Sequence, residues 1–174
     1  MPAPEPPTYR RPTAWLFRAL PGFGYSFDRD VPCQIQGAAT VGGWYIGKLV
    51  TPSLLVGGGL VVGLSGLPDD GCVTDDSGAR IAIGAVIGPA INWYPLDAGL
   101  FVSAMAGYAT YDQDSMHVTH GVGSTIALGY DWDDGPFKSG GRSRFGLALQ
   151  VTVARMTSGH AMMTPALVLS AGAD

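Results

Sequence analysis

The chain has 174 residues, 47% hydrophobic and 14% charged, with a net charge of −4; a typical soluble domain carries about 25% charged residues. With no basic run after Arg10-Arg11, the acidic balance argues against a nucleic-acid partner. No purely apolar window of about 18 residues exists, which argues against a transmembrane helix and leaves open a barrel, whose hydrophobicity hides in alternation.

Taken in order, the chain opens with MPAPEPPTYRRP, which has no apolar core of a secretory signal. Residues 1–12 are expected to form a Pro-rich disordered leader, followed by a single domain over 13–174. For an exported barrel the missing signal implies a mature form or a truncated start.

Eight period-two strands follow, each with side chains pointing alternately to two faces. The first, about 14–27, sets Trp15, Phe17, Ala19, Phe23 and Tyr25 against Leu16, Arg18, Leu20, Gly22 and Gly24. The second, about 34–49, alternates Ile35, Gly37, Ala39, Val41 and Tyr45 with Gln36, Ala38, Thr40, Trp44 and Lys48, and its even face reads as polar. In the third, Leu54, Val56, Leu60, Val62 and Leu64 oppose Gly57, Gly59, Gly63 and Ser65.

The stretch from Arg80 to Tyr111 reads as two long strands around the turn Tyr94-Pro95-Leu96-Asp97. Its runs of about 12 residues or more exceed the usual strand and match the roughly 9 to 11 residues that cross a bilayer at a tilt. Strand six, about 118–132, strand seven around Phe145 to Val153, and strand eight, about 160–171, repeat the alternation. Glycine, 26 of 174 residues against an average of about 7%, suits the crowded inside of a narrow barrel. Pro21, Pro89 and Pro165 lie inside strands and lack a ladder donor, so bulges or broken pairing are expected there.

The fold class read from these strands is all-β, an eight-stranded antiparallel up-and-down transmembrane barrel. An even count brings both chain ends to one side, and the connections alternate between short and long. Asp133 to Ser143 and Met156 to Gly159 break that rule. Two aromatic girdles are expected: Trp15, Trp93, Tyr94, Tyr130 and Trp132 at the periplasmic ends, Tyr108 and Tyr111 at the outer ends. A polar set comprising Arg18, Gln36, Lys48, Asn92, Asp131, Arg144, Gln150 and Thr152 falls opposite the oily face. It fills the lumen of a membrane barrel or faces water in a soluble one, and alternation alone does not choose.

The pieces GGWYIGKLVTPSLLVGGGL and IGPAINWYPLDAGLFVSAMAGYATY, in which a strand, a Pro-bearing turn and a Gly-rich strand recur, resemble the small outer-membrane β-barrels of Gram-negative bacteria. The type is the eight-stranded one related to the transmembrane domain of OmpA and to OmpX. The resemblance covers about Ala14 to Ala171. It implies an outer-membrane location, contact with membrane lipid, a monomer with no cofactor or metal, and a structural or surface-interaction role without catalysis, in which the outer loops meet a partner. Some barrels of this kind are lipid A-modifying enzymes. His117 and His120, with Asp112, Asp114 and Ser115, would be the residues to carry such chemistry here, but their spacing fixes no triad or metal site. The loop Asp69-Asp70-Gly71-Cys72-Val73-Thr74-Asp75-Asp76 lacks the ligand order of an EF-hand. A lipocalin-like soluble barrel, its oily set turned inward around a small apolar ligand, is the alternative. Cys33 and Cys72 fall on the same side of the membrane in this topology, so an oxidising compartment favours a disulfide between them.

Overall fold

The computed structural model describes residues 15–29, 36–67, 80–95, 99–113, 118–136 and 142–173. They form eight strands: β1 (Trp15–Arg29), β2 (Gln36–Thr51), β3 (Leu54–Leu67), β4 (Arg80–Trp93), β5 (Leu100–Gln113), β6 (Thr119–Pro136), β7 (Arg142–Met156) and β8 (Ala161–Ala173). Each pairs antiparallel with its neighbours in sequence, and β8 pairs with β1, so the sheet closes into a barrel. Closure removes the exposed sheet edges that an open sheet would present. The start of β1 and the end of β8 lie at one end, here called the terminal end. The connections β1–β2, β3–β4, β5–β6 and β7–β8 lie at the other, the distal end.

Strands β6 and β7 continue past the expected boundary. Pairing runs from Gly121↔Met156 down to Pro136↔Arg142 with an irregularity after Asp133, so part of what reads as a long connection belongs to the strands. The prolines interrupt pairing on one side each. Along β1–β8 the register is kept but two rungs are missing between Ala19↔Ala171 and Gly22↔Val168, beside Pro21, and two between Gly24↔Ala166 and Phe27↔Met163, beside Pro165. Along β4–β5 two rungs are likewise missing between Ile87↔Tyr108 and Ala90↔Met105, beside Pro89. On their other sides all three prolines stand in unbroken registers, as expected of a residue that has lost its one donor but keeps its acceptor.

The oily faces of β1, β3, β4, β5, β6, β7 and β8 point outward. Leu149 is 66% exposed, whereas its neighbour Gln150 is 1% exposed. Strand β2 departs from its sequence reading, because its odd face, with Val41, Tyr45 and Leu49, is the buried one. Lys48 is exposed on the outside, opposite Trp15 of β1, and Gln36 shares that face. The reason is steric. The odd set contains Gly37, Ala39, Gly43 and Gly47, which an eight-stranded lumen can accommodate, while the even set contains Trp44 and Ile46, which are exposed.

Large inward side chains are seated on glycines of other strands. A Cβ on Gly59 would lie 2.8 Å from both Tyr45 and Met105, and one on Gly129 would lie 2.6 Å from the tip of Phe101. Among the described residues the interior is therefore filled by side chains. A void of about 10 Å³ remains in the distal half between Val41, Val61, Val86, Thr152 and Met162, room for about one water.

Candidate functional site

The polar side chains converge at the terminal end of the lumen. Arg18 projects inward from β1 and is 1% exposed; its Nη2 donates to the Asp131 carboxylate of β6 and to the Tyr94 hydroxyl at the end of β4. The guanidinium lies 3.8 Å from the centre of the Phe101 ring, and that of Arg144 lies 5.6 Å from the Tyr94 ring. Cation–ring contacts of this kind gain strength where water is excluded. Below this layer Leu16, Leu49 and Leu55 pack into an apolar cap.

Turn backbones hold the layer in place. Tyr94 N–H donates to Ser53 O at 2.7 Å, tying the end of β4 to the β2–β3 turn. Asp131 N–H donates to Gly99 O at 2.9 Å, tying β6 to the β4–β5 turn. The carboxylate that neutralises Arg18 is thus positioned by the same residue that closes the adjacent hairpin.

Sequence reasoning placed Asp131, Arg144 and Lys48 in one lumen-filling polar set, with Arg144 on the strand next to Asp131. Asp131 instead takes Arg18 from across the barrel, and Lys48 does not enter the lumen. Arg144 and Gln150 are buried, and Gln150 lies 3.5 Å from Thr152, which bonds Thr125 at 3.1 Å. Phe101, at 0% exposure, was missed as a member of the layer; its odd position in β5, opposite the oily even set, was the available signal.

Of the residues expected in the aromatic girdles, Trp15, Trp93, Tyr130 and Trp132 are exposed on the outer wall at the terminal end, and Tyr130 and Trp132 meet edge-on at 5.5 Å. Tyr108 is exposed near the distal end. Tyr94 and Tyr111 are not girdle residues, since both are buried. Tyr94 follows the outward Trp93, so alternation turns it into the lumen, and Tyr111 shares the odd, inward parity of Phe101 and Met105. Cys33, Cys72, the acidic loop Asp69 to Asp76, Asp114, Ser115 and His117 lie outside the described residues. His120 is on the outer wall, stacked on Tyr108, with its Nδ1 2.6 Å from the Tyr108 hydroxyl.

No protein-family model matches the chain, and no curated protein matches it by sequence. Solved structures do match by shape. Ail, the attachment invasion locus protein of Yersinia pestis, in complex with the heparin analogue sucrose octasulfate, superposes with a TM-score of 0.55 at 9% identity, over 91% of this chain and 98% of that one. Its fold is that of the small outer-membrane β-barrels. A second structure of Ail gives a TM-score of 0.50 at 9% identity, over 92% of this chain and 99% of that one. Neisserial surface protein A gives 0.52 at 6% identity, over 90% and 95%. At 6 to 9% identity the likeness is one of fold, with nearly every side chain different.

Proposed function

We propose that the chain is an outer-membrane barrel with a surface-interaction role, a sealed lumen and no catalysis. The observation that carries the reading is the inversion of its faces, with Leu149 turned outward beside a buried Gln150. Around the wall Trp15, Phe23, Ile87, Val122, Ile126, Leu167 and Leu169 are exposed as well. A soluble protein rarely presents contiguous apolar patches above a few hundred Å², and a wall of this kind suits lipid. The lipocalin-like alternative fails on the same observation, because the oily set lies outside.

The partner's chemistry follows from charge. The distal connections, residues 30–35, 68–79, 114–118 and 157–160, contain Asp30, Asp69, Asp70, Asp75, Asp76 and Asp114 and no lysine or arginine. With the chain termini on the periplasmic side, these connections face outward and favour a cationic partner over a polyanion such as the sucrose octasulfate bound by Ail. The filled lumen makes a conducting pore unnecessary to the role, and a monomer is the expected state.

Refolding with and without detergent tests the membrane reading, and a chain that stays soluble and monomeric in plain buffer overturns it. Conductance in planar bilayers should show no steady open channel. In micelles the barrel should bind a lysine-rich peptide with an affinity that falls as salt rises, and it should pass unretained through immobilised heparin. Retention on heparin would overturn the choice of partner and leave the membrane reading standing.

A further inference from the structure

The outer wall is apolar except at a few places, and one of them is organised. Near the distal end, Tyr108 of β5, Val122 of β6 and Arg155 of β7 form one outward-facing row, through the register pairs Tyr108↔Val122 and Val122↔Arg155. His120, two residues before Val122 on the same face, stands in the next row opposite Thr110. Its ring lies parallel to that of Tyr108, with centroids 5.7 Å apart and planes at 20°. The Tyr108 hydroxyl is 2.6 Å from His120 Nδ1. The backbone beneath is fixed too, since the Thr157 N–H and hydroxyl both donate to His120 O, at 2.8 and 3.0 Å.

The chemistry of this patch is that of a donor array. When the phenol donates to Nδ1, the ring is the neutral tautomer that carries its N–H at Nε2; in the imidazolium the direction reverses, Nδ1–H donating to the phenol oxygen while Nε2 keeps its N–H. Arg155 is exposed, diagonal to His120 across the β6–β7 ladder, at a spacing of roughly 7 to 8 Å for such pairs. A permanently charged guanidinium fork beside an N–H donor suits a tetrahedral oxyanion. Phe27, Leu64, Ile81 and Met163 on β1, β3, β4 and β8 are apolar and exposed, and Gln36 of β2, beside Phe27, is a further polar side chain on the outer face. Asp112, two residues beyond Thr110 on β5, limits the cationic character of the patch toward the distal turn.

We infer that Tyr108, His120 and Arg155 form a phosphate-binding site on the lipid-facing wall, which takes the phosphorylated headgroup of a lipid at the distal membrane interface. Tyr108 holds the imidazole, His120 Nε2 and the Arg155 guanidinium contact phosphate oxygens, and the apolar wall around Val122 and Met163 receives the acyl chains. This site rests on the membrane reading above. Free phosphate offers the same oxygens, so the source is left to the experiment.

The full chain in a non-ionic detergent is equilibrated with phosphatidic acid or with diacylglycerol of the same acyl chains, and bound lipid is counted by native mass spectrometry. Phosphatidic acid should be retained about tenfold better than diacylglycerol. Arg155→Gln combined with His120→Gln should remove that preference, and Lys48→Gln at the opposite end should leave it intact. Displacement by millimolar inorganic phosphate would identify free phosphate as a sufficient ligand; resistance to it would identify the lipid-borne headgroup. Equal retention of the two lipids, or an undiminished preference in the double variant, overturns the site. Folding in plain buffer would overturn the membrane reading and the site with it, whereas a detergent-dependent chain without the lipid preference overturns the site alone.

Discussion

Arg18 and Asp131, 113 positions apart in the sequence, form an ion pair across the inside of the barrel, and both side chains are nearly inaccessible. Burying two charges is unfavourable unless geometry and further hydrogen bonds compensate, and here the Tyr94 hydroxyl and the Phe101 face add to the pair. Asp131→Ala should therefore cost about 3 to 5 kcal/mol, because it leaves a buried arginine without its carboxylate. The double change Arg18→Met with Asp131→Leu should recover much of that loss, since neither charge then remains. Urea midpoints of both variants in one detergent decide the matter, and similar losses would mean that the pair is not a unit.

Leu149 tests which solvent surrounds the wall. In a bilayer, Leu149→Arg near the middle of β7 should cost about 2 to 4 kcal/mol, while Leu149→Met should cost about 1 kcal/mol or less. Water around the same exposed side chain would make the arginine close to neutral. Folding equilibria measured in lipid vesicles for the two variants separate these outcomes.

Strand order and the division of seven strands into an oily and an opposite face were legible in the sequence, because β1, β3, β4, β5, β6, β7 and β8 each set bulky apolar residues on one parity; which face turns inward was not legible from that parity alone. Strand β2 was not legible by polarity. Its even face carries Lys48 and Gln36 but also Trp44 and Ile46, and in a narrow lumen side-chain volume decides before charge does. Lys48 keeps its ammonium near the terminal rim beside Trp15, where a long side chain can lay its stem on apolar surface. Tyr94 and Tyr111 had inward parity, yet residue type suggested a girdle; parity won because a strand cannot turn one side chain around without a bulge. The Arg18–Asp131 pair lay beyond sequence reasoning, since it joins β1 to β6 across the lumen and no local pattern encodes that distance.

Two turn glycines with positive φ should respond differently to alanine. Gly99 has φ of 88°, and an added Cβ would lie 2.1 Å from Asp131 O; Gly159 has φ of 96° and open space around it. Gly159→Ala should cost only the backbone term, roughly 1 to 2 kcal/mol. Gly99→Ala adds a clash with backbone and disturbs the bond from Asp131 N–H, so its unfolding midpoint should be clearly lower than that of Gly159→Ala. Equal midpoints would show that the β4–β5 turn gives way without cost to the Arg18 layer.

Cys33 belongs to the β1–β2 connection and Cys72 to the β3–β4 connection, and both connections leave the barrel at its distal end. In an oxidising compartment two such cysteines should pair. Thiol labelling of the denatured, unreduced protein should find no reactive cysteine, and two after reduction. Two thiols without reductant would rule the disulfide out.

The seam between β1 and β8 should be the most readily opened part of the wall. Two prolines interrupt it, with Leu20 and Pro21 out of register contact with Leu169 and Ser170, and Tyr25 and Ser26 out of contact with Thr164 and Pro165. The β6–β7 ladder by contrast runs without a break from Gly121↔Met156 to Asp133↔Arg144. Ser26 and Thr164 still meet through their hydroxyls at 3.2 Å, so one gap is bridged by side chains where the backbone ladder is missing. Local opening takes less free energy where fewer hydrogen bonds must break together. Backbone amides of β8 should therefore exchange with deuterated buffer faster than those of β6 in the same micelles. Pro165→Ala supplies the missing N–H and should slow exchange at Thr164 and Ala166, with a gain of about 0.5 to 1.5 kcal/mol if the new bond forms. Uniform exchange across β6 and β8 would mean that packing of Val168, Leu167 and Met163 against their neighbours holds the seam as firmly as an unbroken ladder.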